Sequence, residues 1–205
     1  GQLGNNSTIA SPIPVSVITA GSSVTAISAG GDHTCAVVNG GMQCWGKNSN
    51  GQLGNSGTTN SLVPIQVFAA GSTVTAVSAG LAHTCAVVSG GVQCWGLNAN
   101  GQLGNNSSTN SPVPVQAIAA GSGAMAVGSG GSHSCAVING SARCWGANGA
   151  GQLGNNDASG ASSLVPVQVV DANSNVTAMS AGANHNCAVI NGGVKCWGDN
   201  SYGQI

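Results

Sequence analysis

The feature that most constrains this chain is that it repeats itself. Gly-Gln-Leu-Gly begins at Gly1, Gly51, Gly101 and Gly151, and a last Gly-Gln begins at Gly203. His33, His83 and His133 are 50 residues apart, and His185 follows 52 residues later. The two added residues fall within Asn155 to Ser163, which marks that segment as a surface loop. Self-similarity at this period means a row of like units stacked on one another. The expected organisation is one tandem-repeat domain of four units, about 1–50, 51–100, 101–150 and 151–205. With Gly rather than Met at position 1 and no signal peptide visible, the sequence reads as a mature product or an excerpt of a longer array.

Each unit has the same internal order. A polar loop follows Gly-Gln-Leu-Gly. Next comes a short extended segment opened by proline: Pro14 to Val17, Pro64 to Val67, Pro114 to Ala117 and Pro166 to Val169. Proline suits the start of an edge strand, where no ladder N–H is needed. A turn and a β-branched run such as Val24 to Ser28 follow, then a glycine break and a hairpin. Four short strands per unit, with frequent turn signals and no sustained helical period, predict an all-β fold.

The hairpin can be read in register. Asn39-Gly40 is a type I′ turn signal, since both central residues need positive φ. A two-residue loop there pairs Val38 with Gly41, Val37 with Met42, Ala36 with Gln43 and Cys35 with Cys44. The same construction on Ser89-Gly90, Asn139-Gly140 and Asn191-Gly192 sets Cys85 opposite Cys94, Cys135 opposite Cys144 and Cys187 opposite Cys196. Each pair falls on a non-hydrogen-bonded site, where Cα atoms are about 4.5 Å apart. Four disulfides are therefore expected, each worth roughly 2–3 kcal/mol for a ring of about ten residues. They imply an oxidising compartment. Zinc sites favour closer cysteine spacing, and thiol redox catalysis favours Cys-x-x-Cys.

The hairpin faces follow from alternation. Cys35, Val37, Met42 and Cys44 share one side; Ala36, Val38 and Trp45 share the other, with Gln43. Both sides are largely apolar, so the sheet must be covered on both faces. Stacking around an axis gives a propeller, and stacking in an open line gives a solenoid. Trp45, Trp95, Trp145 and Trp197 are expected to fill the gap between neighbouring units. His33, His83, His133 and His185 are expected to be structural, each bonded to a neighbouring loop backbone. No carboxylate recurs in phase with them, because Asp32 is matched by Ala82, Ser132 and Asn184, so no metal site is expected. The Gly-Gln-Leu-Gly loops lack the lysine of a phosphate loop and open no helix. No nucleophile–base set is visible, and no cofactor is expected.

Only 3% of residues are charged and the net charge is −1. Such a chain has no field to attract nucleic acid or an anionic membrane. Its apolar runs are too short to span a bilayer.

The string His33-Thr-Cys-Ala-Val-Val, followed by Gln43-Cys-Trp-Gly-Lys-Asn-Ser-Asn-Gly-Gln-Leu-Gly54, resembles the RCC1 (regulator of chromosome condensation) repeat. Over all four units it is similar to the cysteine-bearing form of secreted bacterial proteins. The resemblance implies a β-propeller of four-stranded blades, usually seven to a ring. Four repeats leave a partial propeller, a closed small ring or an array assembled from several chains. The exchange-factor activity of the best known member is not implied, since its basic character is missing and disulfides do not suit the nucleus. The expectation is a non-catalytic, secreted or cell-surface structural module that binds protein partners or copies of itself head to tail, with fibre formation as one outcome. The alternative is a lectin-like or protein-inhibitor propeller that binds a ligand through inter-blade loops.

Overall fold

Four two-residue turns set the geometry of the whole chain. Asn39 and Gly40 have φ of 52° and 69°, and Ser89-Gly90, Asn139-Gly140 and Asn191-Gly192 match them. These are the type I′ turns whose twist suits a tight hairpin. The computed structural model describes residues 1–170 and 174–205. Strands β1 (Val24–Ala29), β2 (His33–Val38), β3 (Gly41–Gly46) and β4 (Ser61–Phe68) form the first antiparallel sheet. The second comprises β5 (Val74–Ala79), β6 (His83–Val88), β7 (Gly91–Gly96) and β8 (Ser111–Ile118). The third comprises β9 (Ala124–Ser129), β10 (His133–Ile138), β11 (Ser141–Gly146) and β12 (Ser163–Val170). The fourth has three strands, β13 (Val176–Ala181), β14 (His185–Ile190) and β15 (Gly193–Gly198).

Sheet and repeat are out of phase. Each complete sheet takes its fourth strand from beyond the next Gly-Gln-Leu-Gly. The proline-led segments Pro64 to Val67, Pro114 to Ala117 and Pro166 to Val169 lie inside these longer outer strands rather than at their start. Proline is tolerated there because the register is interrupted at that point, between the partners of Cys44 and Gly46 in the first sheet. Pro14 to Val17 is not a strand. Its counterparts pair with the third strand of the preceding sheet, and no described strand lies beside residues 14–17. Val17 and Ile18 instead pack on Ala36, Val38 and Trp45.

The hairpin register is the one that the turns dictate, with Val38 opposite Gly41 and Cys35 opposite Cys44. Disulfides join Cys35–Cys44, Cys85–Cys94, Cys135–Cys144 and Cys187–Cys196, with Cα separations of 4.0–4.1 Å. That spacing belongs to non-hydrogen-bonded pairs.

The faces pack as alternation requires. Cys35, Val37, Met42, Cys44 and Leu53 of the first blade meet Val74, Ala86, Val88 and Trp95 of the second. The cysteine face of the second blade meets Ala136, Ile138 and Trp145 of the third in the same way. The third meets Ala188, Ile190 and Trp197 of the fourth. The core is thus a series of slabs between consecutive sheets, built from small side chains and one indole per slab. Three disulfides are completely buried in these slabs. Cys187 and Cys196 lie on the open face of the fourth blade and are half-buried.

This difference in access predicts the order of reduction. Attack on a disulfide needs a thiolate to reach sulfur. Under native conditions a mild dithiol followed by alkylation should label Cys187 and Cys196 first, read by peptide mass spectrometry. Equal labelling of all eight cysteines before unfolding would contradict the stacked arrangement.

Candidate functional site

The polar residues that the sequence singles out converge on the junctions between blades. At the first junction the backbone carbonyl of Gln52 accepts two hydrogen bonds from the second blade. One comes from the hydroxyl of Thr84 at 2.8 Å and one from indole Nε1–H of Trp95 at 3.0 Å. Gln102 receives the same pair from Ser134 at 2.9 Å and Trp145 at 2.9 Å. Gln152 receives them from the Asn186 amide at 2.8 Å and Trp197 at 3.1 Å. Within the first blade, Thr34 and Trp45 donate to Gln2 in the same way.

The histidines complete these junctions. His33 Nε2 lies 2.8 Å from Thr84 Oγ1, His83 Nε2 lies 2.9 Å from Ser134 Oγ, and His133 Nε2 lies 3.0 Å from Asn186 Oδ1. Each hydroxyl has spent its proton on a glutamine carbonyl, and the Asn186 oxygen can only accept. The histidine must therefore be the donor, in its Nε2–H tautomer. The partner is a side chain on the next blade, not the loop backbone that the sequence suggested. The ring points across the slab to the residue following the next histidine.

The remaining ring nitrogens, Nδ1 of His33, His83 and His133, are buried without a hydrogen-bond partner. Gly30, Gly80 and Gly130 close over them, and a Cβ on any of the three would collide with the ring. Protonation would bury a charge and an unsatisfied N–H together. Burial accordingly lowers His33 to about 4 and His83 to about 3, and lowers His133 as well. These are neutral donors, not acid–base groups for pH 7.

The Gly-Gln-Leu-Gly loops are held from within by an asparagine. Asn48 Oδ1 accepts from Leu53 N at 2.9 Å, while its amide donates to Asn55 Oδ1, Gly57 O and Thr59 O at 3.0 Å each. Asn98 repeats the pattern with Leu103, Asn105, Ser107 and Thr109. Sequence reasoning passed over this residue, although its fixed place three residues after tryptophan was a signal. In the third loop Asn148 still accepts from Leu153, but its buried amide nitrogen has no partner. The two added residues have carried the loop acceptors away. The final glycine of each loop has positive φ, and its Cα lies against the next indole, so Gly54 and Gly104 have no room for a Cβ beside Trp95 and Trp145.

The turns between first and second strands meet in a cleft of about 250 Å³ lined by Ala29, Gly30, Gly80, Leu81, Gly130 and Gly182 among others. Its lining is glycine and apolar residues apart from Ser129, whose hydroxyl donates to Ser78 O at 3.1 Å. Backbone bonds run along it from one blade to the next, Gly31 N to Gly80 O, Leu81 N to Gly130 O and Gly131 N to Ala183 O. Among the described residues no three His, Cys, Asp or Glu side chains gather as a metal site. Among the same residues no helix is long and apolar enough to cross a membrane.

A family profile described as the regulator of chromosome condensation (RCC1) repeat matches residues 1–37, 39–87, 89–137 and 139–189. The chain belongs to the RCC1 repeat family. A second RCC1 repeat profile matches 24–52, 74–102 and 176–204. Solved RCC1-type structures share the fold. Yeast Prp20p, from a study of Saccharomyces cerevisiae Prp20p and its binding to Gsp1p and histones, superposes with a TM-score of 0.75 at 21% identity, covering 90% of this chain and 48% of Prp20p. Yeast RCC1 (Prp20) bound to Kap60 gives 0.74 at 21% identity, with 90% and 46% covered. Human WBSCR16 gives 0.74 at 24% identity, with 85% and 47% covered. The chain therefore spans about half the length of these structures. No curated protein sequence matches it. Its four sheets stand in a row as blades of that fold, and none of the described strands of the last pairs with the first.

Two measurements test the junction. Thr84→Val removes the hydroxyl that links His33 to Gln52; the buried His33 N–H is left unpaired, while Gln52 O keeps its bond from Trp95, and about 1–3 kcal/mol of stability should be lost, read by denaturant unfolding. The histidines predict acid sensitivity. Their folded values lie below the unfolded one near 6.5, so the unfolded chain binds more protons and stability is complete only above about pH 6.5. It should fall as pH drops from there toward 4, by up to about 1.4 kcal/mol per pH unit for each histidine. His83→Gln, which keeps a donor for Ser134, should flatten that acid limb by one proton's share.

Proposed function

We propose that this RCC1-type chain is a non-catalytic, extracellular or cell-surface scaffold for protein interaction, of the cysteine-bearing secreted bacterial kind. The observation that carries the reading is the set of four disulfides, three of them sealed between blades. Buried hairpin staples of this kind persist where thiols are oxidised. The conspicuous residues of each repeat, His, Trp, Gln and Asn, are absorbed in joining blades, which leaves loops and outer strands for partners. Prp20p is a protein-binding member by the description of its structure. Binding of proteins is the mode proposed here, with a different partner. Nucleic acid is an unsuitable partner for a chain of net charge −1.

A lectin-like reading based on exposed tryptophan platforms is not favoured, since Trp45, Trp95 and Trp145 are buried and each donates its N–H to a backbone carbonyl. A protein ligand would meet the loops instead. Residues 156–159 and 161–162, within the loop that carries the two added residues, are exposed.

The test is fractionation of the source cells with non-reducing peptide mapping of the recovered chain. Four disulfide-linked peptides in material accessible to external protease are expected. Free thiols in a cytosolic fraction would overturn the reading.

A further inference from the structure

Three of the four hairpin tips read Asn-Gly, at Asn39-Gly40, Asn139-Gly140 and Asn191-Gly192, and the fourth is Ser89-Gly90. Asparagine followed by glycine carries a latent reaction. The backbone nitrogen of the glycine can attack the side-chain carbonyl before it, and glycine has no Cβ to obstruct the approach. Whether a given tip reacts depends on how that nitrogen and the amide are held. Among the described residues, Gly40 N–H and Gly140 N–H make no hydrogen bond, so the attacking atom is free at both tips.

The two amides are held differently. Asn139 Nδ2 donates to Ser122 O at 2.9 Å. It reaches that carbonyl by lying across Gly123, where a Cβ would collide with Asn139 Oδ1. Ser23 takes the place of Gly123 in the first blade, with φ of 49° against 77° for the glycine. Its Cβ fills the space that the Asn139 amide uses, and the Asn39 amide makes no hydrogen bond among the described residues. In the second blade Thr73 stands there, and its hydroxyl lies 2.6 Å from Ser89 Oγ. Exposure does not separate the tips. Ser89 and Asn139, which have a blade on either side, are exposed as Asn39 is, and the side-chain bonds just named lie within one blade.

We propose that Asn39 is a site of spontaneous covalent modification, deamidation through a succinimide, and that Gly123 makes Asn139 its protected counterpart. The Gly40 nitrogen gives its proton to solvent base and bonds to Asn39 Cγ. The Cγ–Nδ2 bond breaks, and ammonia leaves with a proton taken back from solvent. Water then opens the five-membered ring. Cleavage between the nitrogen and Cγ leaves aspartate. Cleavage between the nitrogen and the α-carbonyl carbon leaves isoaspartate, with the main chain running through Cβ and Cγ.

The reacting tip is also a contact between blades. Asn39 O accepts from Gly71 N and Gly40 O accepts from Val74 N, each at 2.9 Å, on the segment that leads into β5. Either product adds a negative charge to a chain of net charge −1. Isoaspartate in addition takes the Asn39 α-carbonyl out of the main chain and lengthens a tight turn by one atom, which disturbs both bonds to the second blade.

The test is incubation of the oxidised, folded chain in mildly alkaline buffer. Peptide mapping by mass spectrometry reads the asparagine-to-aspartate mass change, and labelling by isoaspartyl methyltransferase reads isoaspartate. Asn39 should convert faster than Asn139 by roughly fivefold, the rate factor that one ordinary hydrogen bond gives. In the reduced, denatured chain the two rates should come together, because the bond to Ser122 is gone. Ser23→Gly should slow Asn39 toward the rate of Asn139, and Gly123→Ser should speed Asn139 toward that of Asn39. Should Gly123→Ser fold poorly, Ser23→Gly decides, since glycine takes the positive φ of that position without strain. No conversion at Asn39 in the folded chain, equal folded rates at Asn39 and Asn139, or a Ser23→Gly chain in which Asn39 reacts as in the parent would each overturn the proposal.

Discussion

A backbone carbonyl that accepts twice is the point on which the stack depends. Gln52, Gln102 and Gln152 each offer both lone pairs to the next blade, one to the side chain after the histidine and one to the indole. The acceptor sits in a loop of one blade and both donors on the sheet of the next, so the pair fixes rotation as well as distance. Apolar burial between the sheets is larger in energy, but it is non-directional. With cores made mostly of Ala, Val and Leu, shape alone would leave adjacent sheets free to slide. The paired bonds, and the histidine that orients the Thr, Ser or Asn donor, remove that freedom.

Much of this was legible in the sequence, and the reason is locality. The type I′ turns at Asn39-Gly40 and its counterparts fix a register over a few residues, and from that register follow the opposed cysteines, the two apolar faces and the stacking they require. The histidine contacts escaped because their partners lie about fifty residues away. The acceptor of His33 is Thr84, and nothing in the sequence around His33 names it. The Asn48 network was equally hidden, because three of its acceptors are loop groups whose positions follow only from the folded loop. Pro14 to Val17 reads as a strand by composition, yet a strand is defined by its neighbour, and none of the described strands lies there.

The third junction shows how much change the design accepts. Asn186 stands where Thr34, Thr84 and Ser134 stand, and it serves both roles with two different atoms. A hydroxyl must choose which partner receives its proton, whereas the amide has a separate donor and acceptor. In the loop just before, two added residues cost Asn148 its amide partners but leave the bond to Leu153 and the burial of that leucine intact. The junction keeps its geometry while the loop beside it differs.

The phase shift between repeat and sheet has a consequence for how such a chain can change length. Because each sheet closes with a strand from the following repeat, the unit of duplication is not the unit of folding. A gene segment of one repeat, inserted or lost anywhere in the row, breaks no sheet internally; it carries one complete junction with it. Arrays of this kind can therefore grow or shrink by whole interfaces without passing through a malformed intermediate. Length is free to vary, and each junction added or lost is of the same kind as those that remain.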